Sequence, residues 1–213
     1  EFVEFACQKS FSGMEAMSMI PGKVGAAPVQ NIGAYGQELS QIIESATVYD
    51  TLSKRMTTLP KAEMRMGYRH TRFNYGKDAG RFFIASITVK LHKTTLRPPL
   101  YNSLQAYIDQ HNETDFSPMN IRRIVCALRA GKLPDPAKVA SAGSFFKNIH
   151  LDKTGADLAE SRGIPVWRNS SGGGKVNSGW LIDQCSLKGK ELYGFRISER
   201  AALVLINEHA HSY

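Results

Sequence analysis

The sequence predicts an α+β fold, and three observations carry that prediction. Residues 41–58 alternate twice about a polar turn, as a hairpin does. Arg81–Leu91 alternates with period two over Phe83, Ala85, Ile87, Val89 and Leu91. Beyond the polar, proline-bearing stretch His92–Pro99 the spacing turns helical, opened by Ser117-Pro118 as an N-cap followed by proline at the first helical position.

The other elements follow in order. Phe2, Val3, Phe5, Ala6 and Phe11 form a helical stripe over residues 1–12, and Gly13 ends it. Residues 14–36, rich in Gly, Pro and Ala, predict a loop with short helical turns. The hairpin turn falls near Thr51–Ser53, and Pro60 opens a short helix. Ile121, Ile124, Val125 and Leu128 mark the buried face of the helix after Ser117, with Gly131 as its stop. Further helices are expected at 152–163 and Ser178–Ser186, the latter with Trp180 and Leu181 in the core. A short buried strand is expected at Ala202–Ile206.

The 213 residues suffice for one large domain or two small ones. No apolar run approaches the roughly 18 residues that span a bilayer as a helix, and no secretory or transit segment is evident. Cys7, Cys126 and Cys185 are an odd number without Cys-x-x-Cys spacing, which argues against a disulfide framework or a zinc site. They read as small core residues in a reducing compartment. The net charge of +8 is scattered. It admits a solvated basic surface, an anionic nucleotide ligand or, less readily, nucleic acid. His209-Ala-His211 has no carboxylate or cysteine cluster behind it, so no metal is expected.

Four segments carry residue types suited to chemistry. Ile20–Gly36 holds four glycines and two prolines, so backbone amides can approach a ligand closely. It is neither Gly-x-Gly-x-x-Gly nor a Walker loop, and by itself it reads as a structural loop or a cradle for a dinucleotide phosphate or an isoalloxazine edge. In Met66-Gly67-Tyr68-Arg69 the arginine is either a surface residue or a planar fork for a carboxylate. Leu128-Arg-Ala-Gly-Lys-Leu-Pro-Asp-Pro136 ends a helix, where Arg129 and Lys132 can answer the helix dipole or bind an anion. Ser141-Ala-Gly-Ser-Phe-Phe-Lys-Asn148 puts the Ser144 hydroxyl on an exposed turn without the Gly-x-Ser-x-Gly elbow of an acyl-transfer serine.

Taken together, these strings resemble the bacterial UDP-N-acetylenolpyruvoylglucosamine reductases. Ile20-Pro-Gly-Lys-Val-Gly-Ala-Ala-Pro-Val-Gln-Asn-Ile-Gly-Ala-Tyr-Gly36 is similar to their flavin segment, with Ala26 where some members carry serine. The Gly-Tyr-Arg69, Lys132-Leu-Pro-Asp-Pro and Ala-Gly-Ser144-Phe-Phe-Lys-Asn148 strings follow in the family's order, as do Ser178–Gly189 and Leu203–Glu208. The resemblance implies FAD contacts from Ile20, Pro21, Ala26, Val29, Gln30, Gly33, Tyr35, Ile84 and Arg129. Arg69 becomes the catalytic arginine and Ser144 the general acid. Lys132 and Asn148 would hold the substrate nucleotide, Tyr101 would close over it, and Glu208 would either contact it or face solvent.

The implied reaction is the NADPH-dependent, FAD-mediated reduction of UDP-N-acetylglucosamine enolpyruvate to UDP-N-acetylmuramate, in peptidoglycan synthesis in the bacterial cytoplasm. A monomer without nucleic-acid or membrane partners is expected. So is a fold with the second lobe of a two-lobe FAD-binding domain at 1–93 and an α/β substrate-binding domain at 94–213. Members of the family are longer at both ends, and their Glu-Pro-Glu-Val-Arg style segment has no counterpart here, so the chain reads as a fragment. The alternatives are another FAD-dependent oxidoreductase or oxidase of the same flavin fold, and a non-catalytic basic module that binds nucleic acid.

Overall fold

The computed structural model describes residues 1–135 and 138–209, Ala142 by its backbone alone. The chain divides into two compact units, Glu1–Arg129 and Ala130–Tyr213.

In the first unit, α1 (Phe2–Gln8) stops short of Gly13, because Lys9 and Ser10 turn the chain and Ser10 takes a φ of 58°. Two short 3₁₀ turns, Glu15–Met17 and Val24–Ala26, are the helical turns expected within the loop. A minimal ribbon follows, β1 (Gly33–Ala34) with β2 (Gln37–Glu38). The hairpin forms as expected: β3 (Ile43–Asp50) pairs antiparallel with β4 (Arg55–Pro60), and α2 (Lys61–Met64) follows. Strand β5 (Phe82–Val89) pairs with the other edge of β3, giving the order β4-β3-β5.

The expected single alternation along β5 fails. Its register against β3 shifts between Thr47 and Val48, so Thr47 pairs with Ser86 and Val48 with Ile84. A bulge inserts one residue and exchanges the strand's faces. Phe82 and Ile84 therefore pack on the core before it, and Ile87 and Val89 after it, while Phe83 is 69% exposed. The core beneath this sheet gathers Met14, Met17, Leu39, Ile43, Val48, Leu59 and Met64. Each such aliphatic side chain contributes about 1.5–3 kcal/mol when fully buried.

Helices α3 (Asn102–His111) and α4 (Pro118–Lys132) supply a second cluster. Leu104, Ile108, Ile121, Ile124 and Val125 are buried with Ala16, and Tyr35, Leu96, Leu100 and Leu128 pack against them. Apolar contacts tie both helices to Ala16 and Tyr35, so the boundary between the compact units falls inside α4, at 129/130, whereas the sequence placed the domain boundary near 93/94. Gly131 does not stop α4, which runs on to Lys132.

The second unit contains β6 (Ala140–Ser144), β7 (Ile149–Leu151), α5 (Lys153–Ser161), β8 (Trp167–Arg168), β9 (Gly174–Val176), α6 (Ser178–Gln184), β10 (Glu191–Leu192), β11 (Phe195–Ile197) and β12 (Val204–Asn207). Two antiparallel sheets result, β10-β11-β12-β6 and β7-β9-β8. Both helices open on side-chain caps: Asp152 accepts from the Gly155 amide at 2.7 Å, and Asn177 from the Gly179 amide at 2.8 Å. Trp180 and Leu181 are half-buried rather than core residues, since Ser178 is the buried position of α6.

Candidate functional site

The loop Ile20–Gly36 borders a cavity of about 560 Å³ within the first unit. Ile20, Pro21, Ala26 and Gln30 line it, joined by Met17, Met19, Ile87 and Arg122. Val29, Gly33, Tyr35 and Ile84 are not among its described lining residues. Two glycines allow the loop its close contacts. A Cβ on Gly25 would stand 2.8 Å from the Ile84 carbonyl oxygen, and one on Gly33 would stand 2.5 Å from the Gln37 carbonyl oxygen. Ile84 thus meets the loop through its backbone, across from Gly25. Val29 is anchored by its carbonyl, which accepts from the Thr71 hydroxyl at 2.7 Å.

Arg69 lies in the same network. Its Nη1 donates to the Asn31 carbonyl at 2.7 Å and its Nη2 to the Gly33 carbonyl at 2.6 Å. Glu38 Oε1 is 3.6 Å from Nη1, and the guanidinium also lies 5.0 Å from the Tyr68 ring centroid. The fold therefore brings the Gly-Tyr-Arg segment onto the glycine-rich loop, although 36 residues separate Gly33 from Arg69. Arg69 holds a φ of 53°, a left-handed conformation uncommon outside glycine.

Tyr35 and Tyr101 pack edge to face, with ring centroids 5.8 Å apart. Burial pushes the Tyr35 phenol up, Arg129 acts in the opposite direction, and Tyr101 adds to the rise. Burial also lowers Arg129 from its ordinary range, against the charges of Tyr35 and Cys126. Arg129 Nη2 donates to the Met19 carbonyl at 3.3 Å. Among the described residues, Arg122 Nε and Arg129 Nε are the buried side-chain nitrogens without a hydrogen-bond partner. Arg122 lines the cavity, and Arg129 binds the carbonyl of a residue that does. A concave wall of mixed polar and apolar character, with Arg122 Nη2 paired to Glu4 at 3.0 Å and its Nε without a partner, is compatible with a heterocycle that has polar edges and phosphate groups, as FAD has.

In the second unit, Ser144 is the last residue of β6, paired with Val204 of β12, and so occupies a strand end rather than the expected turn. Gly143 before it has a φ of 76°, and its amide donates to Ser141 Oγ at 3.1 Å. The Ser144 side chain is exposed, as are Phe145 and Phe146, whose rings meet at 5.0 Å. Asn148 Oδ1 accepts from the Ser178 amide at 3.2 Å, tying that side chain to the start of α6. Lys132 is exposed in the last turn of α4. Glu208 follows β12 and pairs with Arg196 Nε at 2.9 Å, so its carboxylate is engaged in a surface ion pair.

Sequence reasoning missed the residues that join the motifs. Asn31 is fully buried, donates to the Gly67 carbonyl and accepts from the Ser40 amide. Thr71 holds the Val29 carbonyl. The Asn in the family string was the available signal, since asparagine tolerates the left-handed φ of 48° found there. Of the three cysteines expected in the core, Cys7 is buried, while Cys126 is half-buried and Cys185 exposed. No cluster of metal-ligating side chains occurs among the described residues, and His211 lies outside them. No described helix is long and apolar enough to cross a membrane.

Comparison with known proteins bears on these motifs. Residues 135–213 match the family model of the UDP-N-acetylenolpyruvoylglucosamine reductase C-terminal domain. The UDP-N-acetylenolpyruvoylglucosamine reductase of Alcanivorax borkumensis is 39% identical over 208 residues, covering 97% of this chain and 60% of that protein. The enzyme of Neisseria meningitidis serogroup C is 38% identical over 213 residues, covering 98% and 61%. That of Bordetella pertussis is 39% identical over 211 residues, covering 97% and 59%. The crystal structure of the Thermus caldophilus UDP-N-acetylenolpyruvylglucosamine reductase superposes with a TM-score of 0.63 at 21% identity, over 98% of this chain and 58% of that one, which establishes a shared fold. Matched nearly throughout by these relatives and over its last 79 residues by the family's own C-terminal domain, the chain belongs to the UDP-N-acetylenolpyruvoylglucosamine reductase family and spans about 60% of the length of its curated relatives.

Proposed function

We propose that this chain forms the catalytic part of an enzyme that reduces the enolpyruvyl group of UDP-N-acetylglucosamine enolpyruvate to UDP-N-acetylmuramate, with NADPH as hydride donor, for peptidoglycan synthesis in the bacterial cytoplasm. The observation that carries this reading is the bonding of Arg69 to the Asn31 and Gly33 carbonyls, which joins two family motifs at one place. The first unit would contribute to the second lobe of a two-lobe FAD-binding domain. Ile20, Pro21, Ala26 and Gln30 would face the cofactor across the cavity, with Tyr35 and Arg129 beyond its edge. FAD, when bound, supplies the hydride it has taken from NADPH.

The residues do the rest. Arg69 presents a permanently charged planar fork to the substrate carboxylate. As hydride adds to the terminal methylene carbon, the double-bond electron pair passes to the carbon that bears the carboxylate and spreads onto it, and a fixed guanidinium stabilises that charge without reorganising. Ser144 Oγ–H then donates its proton to the carbon centre. A hydroxyl is a weak acid, and it suffices because the receiving centre is strongly basic. Lys132 and Asn148 would hold the nucleotide, and Tyr101 would close over the substrate. Glu208 would contact the substrate from its ion pair with Arg196. The enzyme would act as a monomer.

The test uses the full-length enzyme. Purified protein should show flavin absorbance in the visible and consume NADPH only when the enolpyruvyl nucleotide is present. Arg69→Lys keeps the charge and loses the fork, so turnover should fall by at least about 10-fold. NADPH oxidation unaffected by the nucleotide, with oxygen as the acceptor, would point to an oxidase instead.

A further inference from the structure

We propose that Asn31, together with Glu38, is a positioning residue that sets the Arg69 guanidinium for its carboxylate; the proposal rests on the reading of Arg69 above. Asn31 has no exposed surface, so every polar atom on it must be used within the fold. Its Nδ2 donates to the Gly67 carbonyl at 2.9 Å, to Glu38 Oε2 at 3.0 Å and to Ser40 Oγ at 3.2 Å. Its Oδ1 accepts from the Ser40 amide at 2.8 Å, and its carbonyl accepts from Arg69 Nη1 at 2.7 Å. One residue thus grips both ends of the arginine: the turn that carries it, closed by the Gly67 amide on the His70 carbonyl at 2.7 Å, and the tip of its side chain.

The donor inventory gives this clamp its meaning. A guanidinium has five N–H groups. The carbonyls of Asn31 and Gly33 take one each, and a third faces Glu38 Oε1 across 3.6 Å. The two that are left are the number a bidentate carboxylate requires. The Arg69 side chain retains 23% of its surface in contact with solvent, so it is open to a ligand. Glu38 serves both members, with Oε1 toward Arg69 and Oε2 toward Asn31. Without Asn31 Nδ2, the Gly67 carbonyl and Glu38 lose a shared donor, and both supports of the guanidinium shift together.

The experiment measures two half-reactions of the full-length, FAD-loaded enzyme by rapid mixing: reduction of the flavin by NADPH, and its reoxidation by UDP-N-acetylglucosamine enolpyruvate. The variants are Asn31→Asp, which keeps the acceptor and removes the donors, Glu38→Gln, Arg69→Ala and the Asn31→Asp/Arg69→Ala pair. Asn31→Asp should slow reoxidation roughly 10- to 100-fold, the scale of a misplaced reacting geometry, and slow reduction far less. In the Arg69→Ala background it should cost nothing further, because it acts through that arginine. Wild-type reoxidation in Asn31→Asp, or a loss that multiplies with that of Arg69→Ala, overturns the proposal. Should Asn31→Asp fail to fold, Glu38→Gln carries the same two expectations and the same two refutations. If Arg69→Ala itself reoxidises at the wild-type rate, the role assigned to Arg69 fails, and the clamp fails with it. Slow Arg69→Ala beside normal Asn31→Asp and Glu38→Gln removes the clamp alone.

Discussion

Tyr35 and Tyr101 meet edge to face, their ring centroids 5.8 Å apart and their planes at 83°. The contact joins the glycine-rich loop to the residue that precedes α3, across 66 positions of sequence. Tyr101 rests on a short local match in the sequence, and it is 47% exposed. An edge-to-face pair contributes about 0.5–1.5 kcal/mol beyond its burial.

Replacing Tyr101 therefore separates two effects. Tyr101→Ala should destabilise the chain by about 1 kcal/mol in urea unfolding and raise the KM for the enolpyruvyl nucleotide in the full-length enzyme. Tyr101→Phe keeps the ring and should recover the stability. An unchanged KM in Tyr101→Ala would remove this residue from substrate closure.

Ser144→Ala should cost little stability, within about 0.5 kcal/mol, because the side chain is exposed and its strand pairing with Val204 is made by backbone. In the full-length enzyme, reduction of the flavin by NADPH should continue while reoxidation by substrate falls by about 10²-fold or more. Normal turnover in this variant would take Ser144 out of the mechanism.

The β3–β5 sheet should carry an acid-sensitive component. Hydrogen bonds from Arg81, supported by the Leu52 amide and the Ser53 hydroxyl, hold the Asp50 carboxyl well below the usual carboxylate range. Asp78 is lowered chiefly by Arg72 and then by Arg81. A folded-state pKa below the unfolded value of about 3.9 gives stability that is complete above that value and is lost as pH falls toward the folded one. Stability to urea should thus be flat near neutrality and decline below about pH 4. Asp50→Asn should shrink that decline. An equally steep acid loss in Asp50→Asn would exclude this carboxylate as its source.

The cysteines should react in the order of their exposure. Burial, with the Glu15 charge second, pushes the Cys7 thiol up to about 11, so at neutral pH it is protonated as well as covered. A thiol reagent at pH 8 should modify Cys185 first, Cys126 more slowly and Cys7 only on unfolding. Rapid modification of Cys7 in the folded protein, read by peptide mass, would contradict the packing of α1.

Contiguous features were the ones legible in the sequence. The Ile20–Gly36 string, Gly-Tyr-Arg69 and the Ser144 segment each lie within a few neighbouring residues, so a single pass along the chain finds them. The hairpin and the helix starts at Ser117-Pro118 and Asp152 are likewise local, since alternation and capping depend on near neighbours. The face exchange in β5 was hidden, because a bulge is defined by the partner strand and leaves no mark in the alternation of Phe83 and Ala85. Gly131 read as a helix stop, yet α4 continues one residue past it, and the compact-unit boundary falls inside that helix.

By itself, then, the sequence determined the mixed α and β character, the family and the residue types available for chemistry, because these depend on composition, local pattern and short strings. Tertiary structure alone decided that Asn31 and Gly33 hold Arg69, that Tyr35 meets Tyr101, and that Arg122, whose buried Nε has no partner, lines the cavity. The physical reason is that hydrogen bonds and ring contacts are satisfied by whatever the fold brings near, at separations of 36 to 110 residues here, and no local pattern encodes that proximity.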